Sequence, residues 1–585
     1  MSASELLFLG FDLSTQQLKA ILITADSLSV VHEASVHYDT DLPSYGTSNG
    51  AILGPDKGRV TSPVRMWLDA LDLILERIRA ADIDLGRVIG IGGAGQQHGS
   101  VYWSLDAPSL LASLDPTKKL GSLGHLAPQA FSLPDAPIWQ DSSTTVECRE
   151  LEEIVGGPQA LSDLTGSRAY ERFTGVQIAR IRKMNPSAYA QTVRISLVSS
   201  FLPSLFLQRF APIEVSDASG MNLMNILTSR WEDSLLEACG GPELRAKLGP
   251  EPALGGSTLG KIGTWWVQRW GFNPDCVIAP FAGDNPATVV PLSSPGDAVL
   301  SLGTSTTLLF SIPPAISTAT PPIPPKRTTT SHLLAHPTVP GGYIAMLCYK
   351  NGALARERVR DRYASNVDDN TNTDASTKWA RFNELVRDTP SGNDGYLGFY
   401  FPQLEIIPPD ILGQYFFKAD SSATNMTAIP EPAFPSSSHP RAILESQLLS
   451  IKLRVVDILP SSAPPPQRLV LVGGSSSNPV IQQVVADVFG TSAYVAPETG
   501  TKEAAALGGA LLARYAWWGD SRGGRGTFEG MMREVRQDGH YANEDGQMML
   551  GAVPDADAVR VYEDLVNVYA SCEKQAIADF QTTLS

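Results

Sequence analysis

The chain has 585 residues, too long for one core, so about two to four domains are expected. Hydrophobic residues make up 43% and charged residues 18%, the balance of an ordinary soluble globular protein. A formal net charge of -16 argues against nucleic acid or an anionic membrane surface as main partner. It leaves room for a nucleotide, because backbone N–H groups and Mg2+ can hold phosphates without a basic patch.

Residues 6–9 and 20–24 read as short strands joined by Gly10-Phe11-Asp12-Leu13-Ser14-Thr15-Gln16-Gln17-Leu18-Lys19. Strand, polar turn, strand is a β-hairpin pattern. The turn offers the Asp12 carboxylate, the Ser14 and Thr15 hydroxyls and the Lys19 charge, groups suited to phosphates. The plainer alternative is a polar hairpin without a ligand. Residues 38–62 read as loop. Residues 63–79 carry Met66, Trp67, Ala70, Leu71, Ile74, Leu75 and Ile78 at helical spacing.

A strand at 88–91 feeds Gly92-Gly93-Ala94-Gly95-Gln96-Gln97-His98-Gly99. Gly90, Gly92 and Gly95 match GxGxxG in form. However, Gln96-Gln97-His98-Gly99 opens no helix and no acid stands at the ribose distance, so a dinucleotide site is rejected. The glycine-rich strand end lets Gln97 and His98 approach a small ligand, or leaves His98 a satisfied structural histidine. Residues 104–135 read as irregular, 139–143 as the close of a strand, and 145–155 as helix. The loop 166–175 is dense in polar groups and holds Arg168 and Arg172, one of which can hydrogen-bond a polyol. Residues 197–207 form a buried segment, and 212–221 contain Asp217, Ser219 and Gly220. Helices are expected at 231–237 and 262–270.

The apolar run 277–279 leads into Phe281-Ala282-Gly283-Asp284-Asn285-Pro286-Ala287. Gly283 lets the backbone turn, and Pro286 lacks the N–H to continue a strand. Asp284 therefore stands at a strand end, either as a general base at a cleft mouth or as the cap of the next helix. The stretch 297–310, with Ser301-Leu302-Gly303-Thr304-Ser305, repeats the strand, hydroxyl-rich turn, strand pattern. Such a repeat predicts two related halves, each opening with a phosphate-gripping hairpin. No GxxxxGK[ST] is present, so a Walker loop is excluded.

Proline-rich 313–340 reads as extended edge structure or a mobile loop. A strand at 343–351, a charged helix at 352–363 and a strand region at 392–401 follow. Residues 419–440 and 460–467 read as poorly ordered Pro/Ser surface loops. Asn425 heads a glycosylation sequon with meaning only in a secreted chain. Between these loops 441–459 is expected as a long amphipathic helix. The strand 468–472 runs into Gly473-Gly474-Ser475-Ser476-Ser477-Asn478-Pro479 and a helix at 480–489. A diglycine loop at a helix N-terminus leaves bare backbone for a flat ring or phosphates, or is a plain strand-to-helix turn. A short strand falls at 494–495. The helix 501–518 has Ala504, Ala505, Gly508 and Gly509 for close packing. Residues 519–552 read as an insertion and 555–580 as a final helix.

The five cysteines are widely spaced, odd in number and without CxxC, which predicts a reducing, cytoplasmic location. The opening Met1-Ser2-Ala3-Ser4-Glu5 has no basic n-region, and no stretch reaches the roughly 18 apolar residues of a membrane span. The eight histidines form no metal spacing.

Taken together, the 10–19 hairpin, the 93–100 loop, the Thr165-to-Gly175 loop, Gly283-Asp284-Asn285-Pro286, the 301–305 turn and Gly473-Gly474 resemble the FGGY carbohydrate kinases. The likeness is strongest to the eukaryotic D-xylulose kinases. It implies an α/β fold of two related actin-like, ribonuclease H-like domains of the sugar kinase/Hsp70/actin superfamily, with a cleft between them. Residues 1–288 would be the sugar-binding domain and 289–585 the nucleotide-binding domain. It implies ATP and Mg2+ as cofactors, a small-molecule sugar as substrate, and a monomer or homodimer. The implied roles are Asp284 as general base, and His98, Arg172, Asp284 and Asn285 as sugar contacts. Asp12 would serve Mg2+ through water. Thr15, Lys19, Gly303 and Thr304 match phosphate contacts, and Trp379, Gly473, Gly474 and Asn478 match the adenine side. The first turn departs from the Gly-Thr-Thr-Ser type run of many bacterial relatives, which leaves the γ-phosphate contacts open. The alternatives are a kinase for L-ribulose, glycerol or gluconate, and an actin/Hsp70-like ATPase.

Overall fold

The computed structural model describes residues 6–314, 323–364, 375–420, 426–460, 463–497, 503–537 and 548–584. The chain gathers into two compact units. The first comprises Met1–Leu292, His332–Ile344 and Lys502–Glu544; the second comprises Ser293–Ser331, Ala345–Thr501 and Asp545–Ser585.

In the first unit the strand Leu7–Leu13 pairs antiparallel with Gln17–Thr24 and parallel with Val88–Gly95. Outward from these lie Val30–His37 on one side and Val277–Ile278, then Gly260–Lys261, on the other. The hairpin is longer than its sequence indicated. The ladder continues to Leu13 opposite Leu18, both buried, so only Ser14, Thr15 and Gln16 turn. Asp12 and Lys19 are cross-strand partners rather than turn residues.

Strand periodicity then assigns the faces. Leu7, Leu9, Phe11 and Leu13 enter one core with Trp67, Leu71, Trp103 and Phe201. Phe8 enters the opposite core with Ala506, Ala510 and Ala513, so the intervening Gly10 and Asp12 share that second face. The covering helix, Ala504–Asp520, approaches to backbone distance. A Cβ at Gly92 would sit 2.2 Å from Gly509 O, and one at Gly509 would sit 2.3 Å from Gly93 Cα. The small-residue face expected of this helix is what permits the approach. On the other face Val64–Ala80 buries all seven residues named from its spacing. The segment Val198–Leu207 is a helix buried on every side despite Pro203. An all-round apolar helix of this kind belongs in a core.

The second unit repeats the plan. Ala298–Leu302 pairs antiparallel with Thr306–Ile312 and parallel with Leu469–Val472, which pairs with Ala493–Val495. Two expectations fail here. The helix His439–Ile458 is buried around most of its circumference rather than amphipathic, because it packs against Pro479–Phe489 and Ala556–Leu584. Its Arg454 pairs with Glu573, and its Arg441 with Glu445 and the Tyr562 hydroxyl. Part of 419–440 is ordered sheet: Met426–Ile429 pairs with Gly413–Ala419. Of the 519–552 stretch, read as an insertion, the helix Phe528–Gln537 belongs to the first unit, while the strand Met549–Ala552 extends the second unit's sheet beside Ala493–Val495. Within 313–340, expected as extended edge structure or a mobile loop, His332–Ala335 is a buried strand at the edge of its sheet, in a segment that belongs to the first unit. Asn425 lies outside the described residues. No described helix is long and apolar enough to cross a membrane.

Candidate active site

The short strand Ala282–Gly283 pairs in parallel with Ala94 and Gly95, which sets Asp284 beside the loop that follows Val88–Gly95. Asp284 opens the helix Asp284–Leu292, so it stands at a strand end and a helix start at once. Its Oδ1 accepts the backbone N–H of Gln97 at 3.3 Å and that of Asn285 at 2.9 Å. No described residue donates to Oδ2. Burial, with the nearby Asp12 and Asp217 charges, pushes its carboxyl up to about 7. A carboxylate of that basicity takes a proton near neutral pH. Asn285 Nδ2 donates to Gln97 Oε1 at 2.9 Å.

Asp217 is buried behind this pair. It accepts Ser199 Oγ at 2.6 Å and Gln97 Nε2 at 3.4 Å, and burial pushes it up to about 7. A Cβ on Gly283 would lie 2.7 Å from Asp217 Oδ1, so the glycine is what lets the Asp284 strand pass. Sequence reasoning noted Asp217 without assigning it work.

Asp12 is 5% exposed. Ser14 Oγ donates to its Oδ2 at 2.5 Å, while Oδ1 is buried with no partner among described residues. Burial raises its pKa against the opposing influence of Ser14 and Lys19. An orphaned buried carboxylate oxygen is a mismatch that a hydrated cation would satisfy. No three His, Cys, Asp or Glu among the described residues are grouped to hold a metal directly. Lys19 Nζ lies 3.4 Å from Glu503 Oε1. Thr15 Oγ1 accepts Trp139 Nε1 at 2.8 Å and donates to Gln96 Oε1 at 3.4 Å. Trp139 was read only as the close of a strand.

His98 and Arg172 meet at one aromatic cluster. The His98 ring stacks on Phe173 at 4.6 Å, and its Nδ1 lies 2.9 Å from Gly220 O. A carbonyl only accepts, so Nδ1 carries the proton and Nε2 is left with a lone pair. Burial and the Arg172 charge lower the His98 pKa to about 3, so the ring is neutral at pH 7. Arg172 spreads its guanidinium over Tyr170 and Phe173 and bonds His332 at 3.0 Å. His332 was missed, because it lies in a proline-rich stretch with no local signal of a site.

The remaining predicted residues lie together in the second unit. Gly303 and Thr304 form the turn after Ala298–Leu302, and Gly303 O accepts Ala353 N at 2.9 Å. Gly473 has φ 88°, and its Cβ would lie 3.1 Å from Gly303 N, so the diglycine loop touches the hairpin turn. A Cβ on Gly474 would meet nothing within 4 Å. Asn478 Oδ1 caps the helix Pro479–Phe489 through Val480 N at 3.0 Å, and its Nδ2 donates to Asn383 Oδ1 at 2.9 Å. Asn383 sits one turn along the helix Ala375–Asp388 from Trp379, whose ring carries Arg360 at 4.8 Å. Arg356, 1% exposed, joins both loops by donating to Leu302 O at 3.5 Å and Ser475 Oγ at 3.3 Å.

Residues 129–291 match the FGGY family of carbohydrate kinases, N-terminal domain, and 298–517 match its C-terminal domain. A rat protein named xylulose kinase is 42% identical over 574 residues, covering 97% of each chain. A probable D-xylulose kinase A of Aspergillus fumigatus is 42% identical over 531 residues, 88% of this chain and 90% of its own. The crystal structure of xylulose kinase from Rhodospirillum rubrum superposes with a TM-score of 0.71 at 17% identity, covering 98% of this chain and 100% of its own, a likeness of fold. With both family domains matched and close relatives spanning nearly its whole length, the chain belongs to the FGGY family of carbohydrate kinases.

Proposed function

We propose that this enzyme transfers the γ-phosphoryl group of ATP to the terminal hydroxyl of D-xylulose, giving ADP and D-xylulose 5-phosphate. The observation that carries the reading is Asp284. Its Oδ1 is held by Gln97 and Asn285, its Oδ2 takes no described donor, and its carboxyl is pushed up to about 7. Oδ2 accepts the proton of the sugar hydroxyl as the O–P bond forms. A positioned base of this kind contributes roughly 10²–10⁴ in rate. His98 Nε2 accepts a sugar hydroxyl, Arg172 donates to one, and Asn285 orients the chain end. The substrate choice is supported by relatives whose names specify xylulose, at 42% identity.

In this proposal the first unit binds the sugar and the second the adenine. Trp379, Gly473, Gly474 and Asn478 are the adenine-side residues. Thr15 and Lys19 in the first unit and Gly303 and Thr304 in the second are the phosphate contacts. Mg2+ would be held near Asp12 Oδ1 through water and would neutralise phosphate charge, which phosphoryl transfer requires. The described cysteines are all free, which fits a reducing cytoplasm. The test is ADP release with D-xylulose, L-ribulose, glycerol and gluconate, with and without Mg2+. D-Xylulose should give the highest kcat/KM, and only with Mg2+. ADP release indifferent to every sugar would end the proposal.

A further inference from the structure

Arg172 forms no described ion pair; its hydrogen-bond partner is His332, 160 residues away in the sequence. The His332 ring is buried between two bonds. Its Nε2 lies 3.0 Å from Arg172 Nη2 and its Nδ1 3.0 Å from Ser167 Oγ. A guanidinium only donates, so Nε2 must keep its lone pair and Nδ1 carries the proton toward Ser167. Burial and the Arg172 charge push the ring well below the ordinary histidine range, which keeps that arrangement in place at physiological pH.

The backbone around His332 is equally committed. Leu333 N donates to Gly166 O at 2.9 Å, and Ala335 N donates to Ser219 Oγ at 3.0 Å. A Cβ on Gly166 would lie 2.4 Å from Leu333 O. Thr165 Oγ1 and Asn222 Nδ2 both donate to Ser167 O, at 3.0 and 3.1 Å, and fix the loop that carries Ser167. The Tyr170 ring closes edge-on against His332 at 4.7 Å, and Phe173 lies between His332 and His98. A long flexible arginine loses rotamer entropy when it is ordered on a neutral ligand. Here one N–H is already spent on a fixed acceptor, so the direction of the others is set before a ligand arrives.

We propose that His332 is a positioning residue that fixes Arg172 against the sugar and so sets sugar affinity without touching the sugar itself. The proposal rests on Arg172 being a sugar contact, as in the function proposed above. Two amides separate the ring's two bonds: Gln reaches the Nε2 position and preserves the acceptor for Arg172, whereas Asn occupies the Nδ1 position and preserves only the bond to Ser167. The experiment compares His332→Leu, His332→Gln, His332→Asn, Arg172→Met and the Arg172→Met/His332→Asn double variant, reading KM for D-xylulose, KM for ATP, kcat and thermal unfolding. His332→Asn and His332→Leu should raise KM for D-xylulose about tenfold with KM for ATP unchanged, while His332→Gln stays within about threefold of the parent. In the Arg172→Met background His332→Asn should add less than about twofold, because the residue acts through Arg172. If His332→Leu fails to fold, the Asn and Gln variants decide the matter. An unchanged KM in His332→Asn while Arg172→Met raises it, or effects that multiply in the double variant, would overturn the positioning role alone. An unchanged KM in Arg172→Met would overturn it by removing the sugar contact on which it rests.

Discussion

Gln97 holds Asp284 from two directions: its backbone N–H donates to Asp284 Oδ1 at 3.3 Å, and its side-chain Oε1 takes the amide of the adjoining Asn285 at 2.9 Å. Both groups come from a loop that glycine-rich strand geometry delivers to the end of the sheet. The result is a carboxylate with one oxygen restrained and the other without a donor among the described residues. Asp284→Asn keeps the volume and the Oδ1 contacts but cannot take a proton. We expect kcat to fall by roughly 10²–10⁴, with ATP and D-xylulose still bound. Stopped ADP release together with calorimetric binding checks this; near-normal turnover would remove Asp284 from the base role.

The elevated Asp284 carboxyl also fixes the sign of the pH response. Below about 7 the group is protonated and cannot act as base, so kcat/KM for the sugar should rise with pH and level off above about 7. Asp217→Asn removes one of the charges that raise it, so the acid limb should move to lower pH. The neutral His98, with its pKa lowered to about 3, contributes no limb between pH 5 and 9. A pH–rate series on parent and variant decides both points.

The same shift is a statement about stability. A carboxyl whose folded pKa lies above its unfolded one supplies stability that is complete below about pH 4 and lost as pH rises through about 7. Asp284→Asn should therefore gain on the parent in thermal unfolding at pH 8 and show no gain at pH 4. Equal differences at both pH values would contradict the raised value.

Close packing of the Ala504–Asp520 helix on the first sheet leaves no room at Gly509. Gly509→Ala would set its Cβ 2.3 Å from Gly93 Cα, which is backbone and cannot yield as a side chain would. We expect a loss of about 3 kcal/mol or failure to fold, seen as a lower denaturation midpoint. Gly519→Ala at the same helix's end meets nothing within 4 Å and should be neutral.

Asn478 joins the diglycine loop to the Trp379 helix while capping its own helix. Asn478→Ala should cost about 1 kcal/mol of stability from the cap alone. It should also raise KM for ATP and leave KM for D-xylulose unchanged. Trp379→Ala should show the ATP effect while leaving the Asn478 cap intact. A rise in KM for D-xylulose in either variant would place these residues wrongly.

Much of the architecture is readable in one dimension. Alternating apolar residues around short polar turns mark both hairpins, and Met66, Trp67, Ala70 and Leu71 mark a core helix by period alone. The errors have a common physical origin. Pro/Ser-rich composition was read as poorly ordered loop at 419–440, but pairing with Gly413–Ala419 makes Met426–Ile429 a strand; of the two readings at 313–340, extended edge structure holds for His332–Ala335, at the edge of its sheet. The helix His439–Ile458, expected as amphipathic over 441–459, carries Arg441, Glu445 and Arg454, yet each of these finds a buried partner.

What the sequence determined unaided was the set of local shapes and the chemistry they carry: the two hairpins, the glycine-rich strand ends, the carboxylate at 284 and the diglycine loop. These follow from backbone preferences and residue periodicity, which act over a few neighbours. Only the tertiary structure decided which oxygen of Asp284 is restrained, that Asp217 stands behind Gln97, that Trp139 grips Thr15, and that His332 holds Arg172. Each is a hydrogen bond between segments more than eighty residues apart. Such bonds follow from where folding brings donor and acceptor, and that position leaves no period or spacing in the chain.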